Sequence, residues 1–170
     1  MSFAGTVGIQ FTNCSQNIEI SHCDIRIPYV SDASYRGISV ENTNTLANLR
    51  ILNNRIDGGY YSIYIYGSSN STRNTDIVIN KNNIINGWAQ GIYTYYTNLI
   101  TVNNNYITQY SGSNNYFYGM NFNSSYASEL CKNKIKIDYY TQYGIYGNGF
   151  GGASSASRLL IANNELILNV

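Results

Sequence analysis

The chain has 170 residues, of which 11% are charged, and its formal net charge at pH 7 is +1. Charges so few and so balanced exclude the basic surface that nucleic-acid binding needs, and they leave no long-range field to steer a charged partner. No run of about 18 apolar residues occurs, so the sequence predicts no membrane span. Asn, Gly, Ser, Thr and Tyr fill the polar surface instead. This composition is typical of extracellular, cell-surface or virion-surface proteins, although an AT-rich genome gives a similar one.

The first predicted strand is Gly8-Ile9-Gln10-Phe11, in which a glycine and an isoleucine precede a variable and an apolar residue. Alternation of this kind, with β-branched and aromatic residues, predicts a β-strand. Five later stretches repeat it, beginning at Gly37, Ser62, Gly91, Gly119 and Gly144.

A second pattern, apolar-x-apolar-x-x-Asn-x-apolar, follows each of these strands. Clear copies are Leu49–Ile56, Ile77–Ile84, Ile100–Ile107 and Leu159–Leu166, and looser copies are Ile18–Ile25 and Ser128–Ile135. Each copy predicts two short strands, one before and one after a corner. The corner residues are Cys23, Asn54, Asn82, Asn105, Asn133 and Asn164, with spacings of 31, 28, 23, 28 and 31 residues. Such spacings are typical of stacked solenoid repeats.

The repeats predict an all-β fold, a right-handed single-stranded parallel β-helix of about six coils with three short strands per coil. The stacked corner amides would form an asparagine ladder. Alignment on the corner residues should place opposite charges side by side in neighbouring coils. It pairs Glu19 with Arg50, Asp24 with Arg55, Arg26 with Asp57, and Lys134 with Glu165.

These repeats resemble the right-handed parallel β-helix of pectate-lyase-like proteins over nearly the whole chain. A leucine-rich repeat is the alternative, since its consensus overlaps L-x-I-x-x-N-x-I, but the residues for a convex helix are missing. We expect residues 1–170 to form one β-helix domain that lacks its caps and is a segment of a longer β-helix protein. Open strand edges would then favour self-association or pairing with flanking coils.

The strands that begin with Gly-Ile carry a cluster of aromatic residues on their outward positions. A tyrosine ring offers a sugar both an apolar face and a hydroxyl group. Stacked tyrosines that only stabilise neighbouring coils, by roughly 0.2–1 kcal/mol per pair, are the structural alternative. The candidate carbohydrate-binding residues are Tyr64, Tyr66, Tyr93, Tyr95, Tyr146 and Trp88.

The resemblance implies that an active cleft, if present, lies along this same face. A lyase needs a base and a cation held by carboxylates, and a glycosidase needs two carboxyl groups. The only catalytic candidates are Asp32, Arg36 and Glu41, which we expect to form a structural ion pair instead, while Asp57 pairs with Arg26. The family's catalytic residues have no counterpart here. No cofactor is predicted, and calcium would follow only from lyase activity.

One histidine, His22, and three scattered cysteines predict no metal site. A Cys14–Cys23 disulfide is possible, although Cys23 fits better as a small substitute for asparagine in the ladder.

Three functions remain open. The first is an extracellular scaffold or adhesion module that binds carbohydrate. The second is a segment of a polysaccharide lyase or glycoside hydrolase. The third is a phage tailspike-like, trimerising, glycan-binding shaft.

Overall fold

The computed structural model of the chain describes residues 6–14, 16–42, 44–110, 116–138, 141–152 and 158–168. In these ranges eighteen β-strands form three parallel sheets of six strands each, and no helix is present. Successive strands of the chain enter the three sheets in turn, so each coil contributes one strand to every sheet. The predicted parallel β-solenoid of six coils with three strands per coil is therefore confirmed.

The strands of each sheet follow one another along the stack in chain order. Sheet A consists of β1 (Val7–Thr12), β4 (Arg36–Asn42), β7 (Tyr61–Gly67), β10 (Gln90–Tyr95), β13 (Phe117–Asn123) and β16 (Thr141–Asn148). Sheet B consists of β2 (Gln16–Ser21), β5 (Ala47–Leu52), β8 (Asn74–Asn80), β11 (Thr97–Asn103), β14 (Ala127–Cys131) and β17 (Leu160–Ala162). Sheet C consists of β3 (Asp24–Arg26), β6 (Arg55–Asp57), β9 (Asn83–Ile85), β12 (Tyr106–Gln109), β15 (Lys134–Ile137) and β18 (Glu165–Leu168). Coil 1 is β1–β3, and coils 2 to 6 follow in threes.

The asparagine ladder forms as predicted at the corner between sheets B and C. The Asn82 side-chain oxygen accepts hydrogen bonds from the backbone N–H and the amide of Asn54, both at 3.0 Å. Its own amide donates to Asn105 Oδ1 at 3.0 Å and to the Ile51 carbonyl at 2.9 Å. The same bonds recur at Asn105 and Asn133, and all of these ladder amides are buried. The ladder therefore satisfies the corner's buried donors and joins every coil to the next.

The residue before each ladder position lies in the left-handed region, with φ between 55° and 58°. This conformation turns the chain sharply from sheet B into sheet C and leaves the side chain exposed. The residues are His22, Asn53, Lys81, Asn104, Lys132 and Asn163. His22 therefore has a role in the turn of the backbone, as its five equivalents do.

The predicted register is confirmed at all four charge positions, because each pair stands as direct partners across neighbouring strands. Two of the expected ion pairs also form: Asp24 with Arg55 at 2.9 Å and Lys134 with Glu165 at 3.0 Å.

The other two charge positions have different partners from those predicted. Arg26 contacts Asp24 of its own strand at 2.9 Å, and Asp57 is bound by Arg55 at 2.6 Å, so the pairing of Asp57 with Arg26 is wrong. Arg50 reaches forward to Asp76 at 3.2 Å. In a stack each side chain has neighbours in two coils and along its own strand, so the register alone does not select the partner.

Inward-facing aliphatic residues fill the space between the sheets. Ile38, Ile63 and Ile92 of sheet A are fully buried, and each such side chain contributes roughly 1.5–3 kcal/mol to stability. Coil 6 is less buried than coil 5. Ile161 of coil 6 is 53% exposed, whereas its register partner Leu130 of coil 5 is fully buried. Leu130, whose coil has a neighbouring coil on both sides, is thus fully enclosed.

Candidate functional site: the tyrosine face of sheet A

The outward surface of sheet A in coils 3 to 6 is made almost entirely of phenol and amide side chains, and we call it the tyrosine face. Three columns of register partners run down it, one residue per coil in each. The columns are Tyr61, Gln90, Tyr118 and Tyr143; Tyr64, Tyr93, Asn121 and Tyr146; and Tyr66, Tyr95, Asn123 and Asn148.

Four of the predicted binding residues form one block of rings in coils 3 and 4. The Tyr64 and Tyr93 centroids lie 5.3 Å apart with planes at 15°, and those of Tyr66 and Tyr95 lie 5.0 Å apart at 23°. Tyr64 and Tyr66, two residues apart on one strand, are nearly parallel at 6.0 Å. These are offset stacks, so neighbouring rings cover part of each other's faces and hold each other in place.

Aromatic residues extend this block to both corners of the sheet. At the entry corner Trp88 stacks on Tyr60, with centroids 5.1 Å apart, and Tyr60 contacts Tyr61 edge-on at 4.8 Å. At the exit corner the Tyr95 and Tyr96 centroids lie 4.2 Å apart. The aromatic surface of coils 3 and 4 therefore spans the full width of the sheet.

Tyr146 belongs to a second group of rings, with Tyr118 and Tyr143. Asn121 separates this group from Tyr93 in the register column. The predicted binding residues thus lie on one face but in two ring clusters.

The first column of the face was missed by period-two alternation. A Cβ atom added at Gly91 would lie 2.9 Å from a methyl group of Ile107, so this glycine faces the core although Ile92, the next residue, does too. The alternation restarts there, and the residue before the glycine also points outward. The sequence signal for this column was a tyrosine or glutamine immediately before Gly-Ile, Ser-Ile or Gly-Met.

Burial raises the pKa of three phenols of the face. It raises the pKa of Tyr61 to about 12 and also raises the pKa of Tyr64 and of Tyr93. At neutral pH each of these groups is uncharged and has a hydroxyl proton to donate.

The structure brings together two of the three catalytic candidates. Arg36 Nη1 lies 2.5 Å from Glu41 Oε1 and 3.1 Å from the Ser39 hydroxyl oxygen, and the guanidinium lies 3.9 Å from the Tyr64 ring centroid. Asp32 instead accepts hydrogen bonds from the hydroxyl and the backbone N–H of Ser34, which lower its pKa. Arg36 and Glu41 form an ion pair in coil 2, at the upper margin of the tyrosine face.

The remaining features of the described residues are few. A cavity of about 540 Å³ lies at the corner after sheet C, between Pro28, Tyr29 and Asn86. None of the three cysteines is in a disulfide, so the possible Cys14–Cys23 bond is not formed. Among the described residues no three His, Cys, Asp or Glu side chains group into a metal site. Nor does that part of the chain contain a helix long and apolar enough to cross a membrane.

Comparisons with protein-family models, curated proteins and solved structures found no match to this chain.

Proposed function

We propose that the protein is a β-solenoid surface or adhesion module that binds carbohydrate through the tyrosine face. The observation that supports this is the concentration of eight tyrosines on one side of four consecutive coils. The ring edges and hydroxyl groups that the stacking of these rings leaves exposed contact the sugar, and the amides of Asn123 and Asn148 exchange hydrogen bonds with sugar hydroxyls.

The packing of the rings favours binding as well as stability. Tyr64 contacts Tyr61, Tyr66 and Tyr93 and lies under the Arg36 guanidinium. Because these contacts fix its rotamer before any ligand arrives, little further side-chain entropy is lost on binding. A flat, pre-ordered surface of this kind suits an extended polymer better than a small molecule, which needs a concave pocket.

The number of carboxylates on the described strands of sheet A favours binding without cleavage. Glycoside hydrolysis needs two carboxyl groups about 5–9.5 Å apart, and Glu41 is the single carboxylate on the described strands of sheet A. Its oxygen is already engaged by Arg36. The likeness to pectate-lyase-like proteins thus extends, in this proposal, to a glycan-facing sheet outside the cell and not to their chemistry.

Affinity electrophoresis tests the proposal. The chain is run through native gels that contain dextran, xylan, galactomannan or polygalacturonate, beside a Tyr64→Ser/Tyr93→Ser double variant. We expect at least one polymer to retard the wild-type chain and the double variant to lose that retardation.

A Tyr106→Ser/Tyr110→Ser variant is the matched control, because it removes two phenols from the sheet C side and should keep the retardation. Unretarded migration of the wild-type chain in every gel would refute carbohydrate binding. Equal retardation of the wild-type chain and the Tyr64/Tyr93 variant would place binding elsewhere on the molecule.

A further inference from the structure

We infer that the tyrosine face selects uncharged glycans, and that the Arg36–Glu41 ion pair sets this selectivity by neutralising the guanidinium that lies over the Tyr64 ring. The inference rests on the proposed function and names the class of ligand that the same site accepts.

The face is uncharged although the rest of the chain is not. The chain has ten basic and nine acidic residues, and only Arg36 and Glu41 lie on the described strands of sheet A, both in coil 2. In coils 3 to 6 every outward position of the sheet is a tyrosine, an asparagine or a glutamine. The raised pKa values of Tyr61, Tyr64 and Tyr93 keep these three phenols neutral well above physiological pH.

An uncharged surface discriminates against acidic sugars because it offers a carboxylate no opposite charge in place of its hydration. A neutral sugar exchanges water hydrogen bonds for phenol and amide hydrogen bonds of similar strength. A uronate brings a carboxylate, which loses hydration at the face and finds no unpaired cation on the described strands of sheet A. Arg73, whose guanidinium lies 5.5 Å from the Tyr96 ring centroid at the exit corner, already donates to the Ser124 carbonyl and to Asn70 Oδ1. Neutral polymers are therefore favoured over acidic ones of the same backbone.

Arg36 is the one cation on the described strands of sheet A, and its ion pair with Glu41 balances its charge. Its guanidinium lies over the Tyr64 ring, and its side chain is 18% exposed, so a bound polymer on that ring is within its reach. The Glu41 carboxylate binds this guanidinium, with Oε1 2.5 Å from Arg36 Nη1. The two side chains line a shallow cavity of about 220 Å³ together with Val7, Gln10 and Ser34. The positive charge is thus already matched before a ligand arrives.

Removal of the carboxylate should convert the selectivity. In Glu41→Gln the shape of the side chain is kept, and Arg36 stays anchored by its Nε–H bond to the Ala33 carbonyl at 3.0 Å and by Tyr64. The guanidinium is then free to bind a carboxylate of the ligand, a charge-assisted bond that increases affinity about tenfold or more.

The experiment compares retardation by polygalacturonate and by neutral polymers at low and at high salt. We expect the wild-type chain to be retarded by a neutral polymer and not by polygalacturonate. Glu41→Gln should keep the first and gain the second, with a gain that fades as salt screens it. Glu19→Gln makes the same change of net charge on sheet B and is the matched control. An Arg36→Gln/Glu41→Gln double variant should lose the gain.

The outcomes separate the two claims. Retardation of the wild-type chain by polygalacturonate overturns the selectivity and leaves carbohydrate binding standing. An equal gain in Glu41→Gln and Glu19→Gln, or no gain in either, overturns the role of the ion pair. If no polymer retards the wild-type chain, the proposed function fails and this inference fails with it. Thermal unfolding of each variant confirms that the compared chains are folded.

Discussion

Replacement of a central ladder asparagine should destabilise the solenoid more than replacement of a tyrosine on its face. Asn82 is 1% exposed and its amide makes four hydrogen bonds, two accepted from Asn54 and two donated to Ile51 and Asn105. In Asn82→Leu the Asn54 backbone N–H loses its acceptor inside the corner, which costs about 1–3 kcal/mol. The other three bonds add about 0.5–1.5 kcal/mol each.

Some of this loss is offset, because leucine buries more apolar surface than asparagine at the same site. We expect a net loss of about 3–5 kcal/mol in the free energy of unfolding. For a chain of this size that lowers the melting temperature by roughly 6–20 °C. Tyr64→Ser removes half-buried ring contacts, each worth about 0.2–1 kcal/mol, and should cost about 1–2 kcal/mol.

Circular dichroism during thermal and urea unfolding of the two variants is the assay. Asn164→Leu is a useful third variant, since Asn164 is only half-buried and its loss should be milder than that of Asn82. A midpoint for Tyr64→Ser equal to or below that of Asn82→Leu would refute the view that the ladder amides hold the corner together.

Two further predictions concern the ends of the ladder and the phenols. The Cys23 backbone N–H donates to Asn54 Oδ1, but its thiol donates to the Ser21 carbonyl and not to Asn54. Cys23→Asn should therefore add the missing amide bond to Asn54, about 1 kcal/mol, and raise the melting temperature by roughly 2–4 °C; a lower melting temperature would contradict this. The pKa of Tyr61 is raised from 10.0 to about 12 in the folded chain, so its contribution to stability is complete below pH 10 and is lost as the pH rises towards 12. The melting temperature should fall over that interval, and fall less in Tyr61→Phe; identical slopes for the two chains would count against a buried phenol.

The coil architecture was predictable from the sequence because an asparagine recurs at the same corner of successive coils. Asn54, Asn82, Asn105 and Asn133 stand at a corner where only an amide both donates and accepts along the stack, so the same residue type returns once per coil. Four complementary charge positions then fixed the register without a structure.

A second polar column inside the solenoid gave no such signal. At the corner between sheets A and B the Thr97 and Thr94 hydroxyls meet the Ser125 hydroxyl at 2.9 and 3.1 Å, and Asn74 accepts a bond from the backbone of Leu46 at 3.1 Å. Different residue types make the hydrogen bonds of this column in successive coils, so no recurring residue in the sequence indicates it.

The tyrosine face was only partly predictable. Alternation placed Tyr64 and Tyr93 on one surface, but it could not show that Gly91 and Ile92 both face the core, and so it missed the column that contains Tyr118 and Tyr143. Nor could it show that Arg36 lies over Tyr64, because this contact depends on the path of the segment before β4 and on its bond to Glu41.

The unequal spacing of the ladder gives the solenoid a mechanical character. Bonds between ladder residues connect positions 23 to 31 residues apart, which corresponds to about 80–110 Å of extended chain per coil. Under tension at one end, a coil that peels away releases that length at once and leaves the amide of the next coil as the new edge. The chain would then yield in discrete steps, with its shortest step between Asn82 and Asn105. Because the tyrosine face extends through coils 3 to 6, tension applied at coil 1 would release coils 1 and 2 before it disturbs the face, whereas tension applied at coil 6 would disturb the face first.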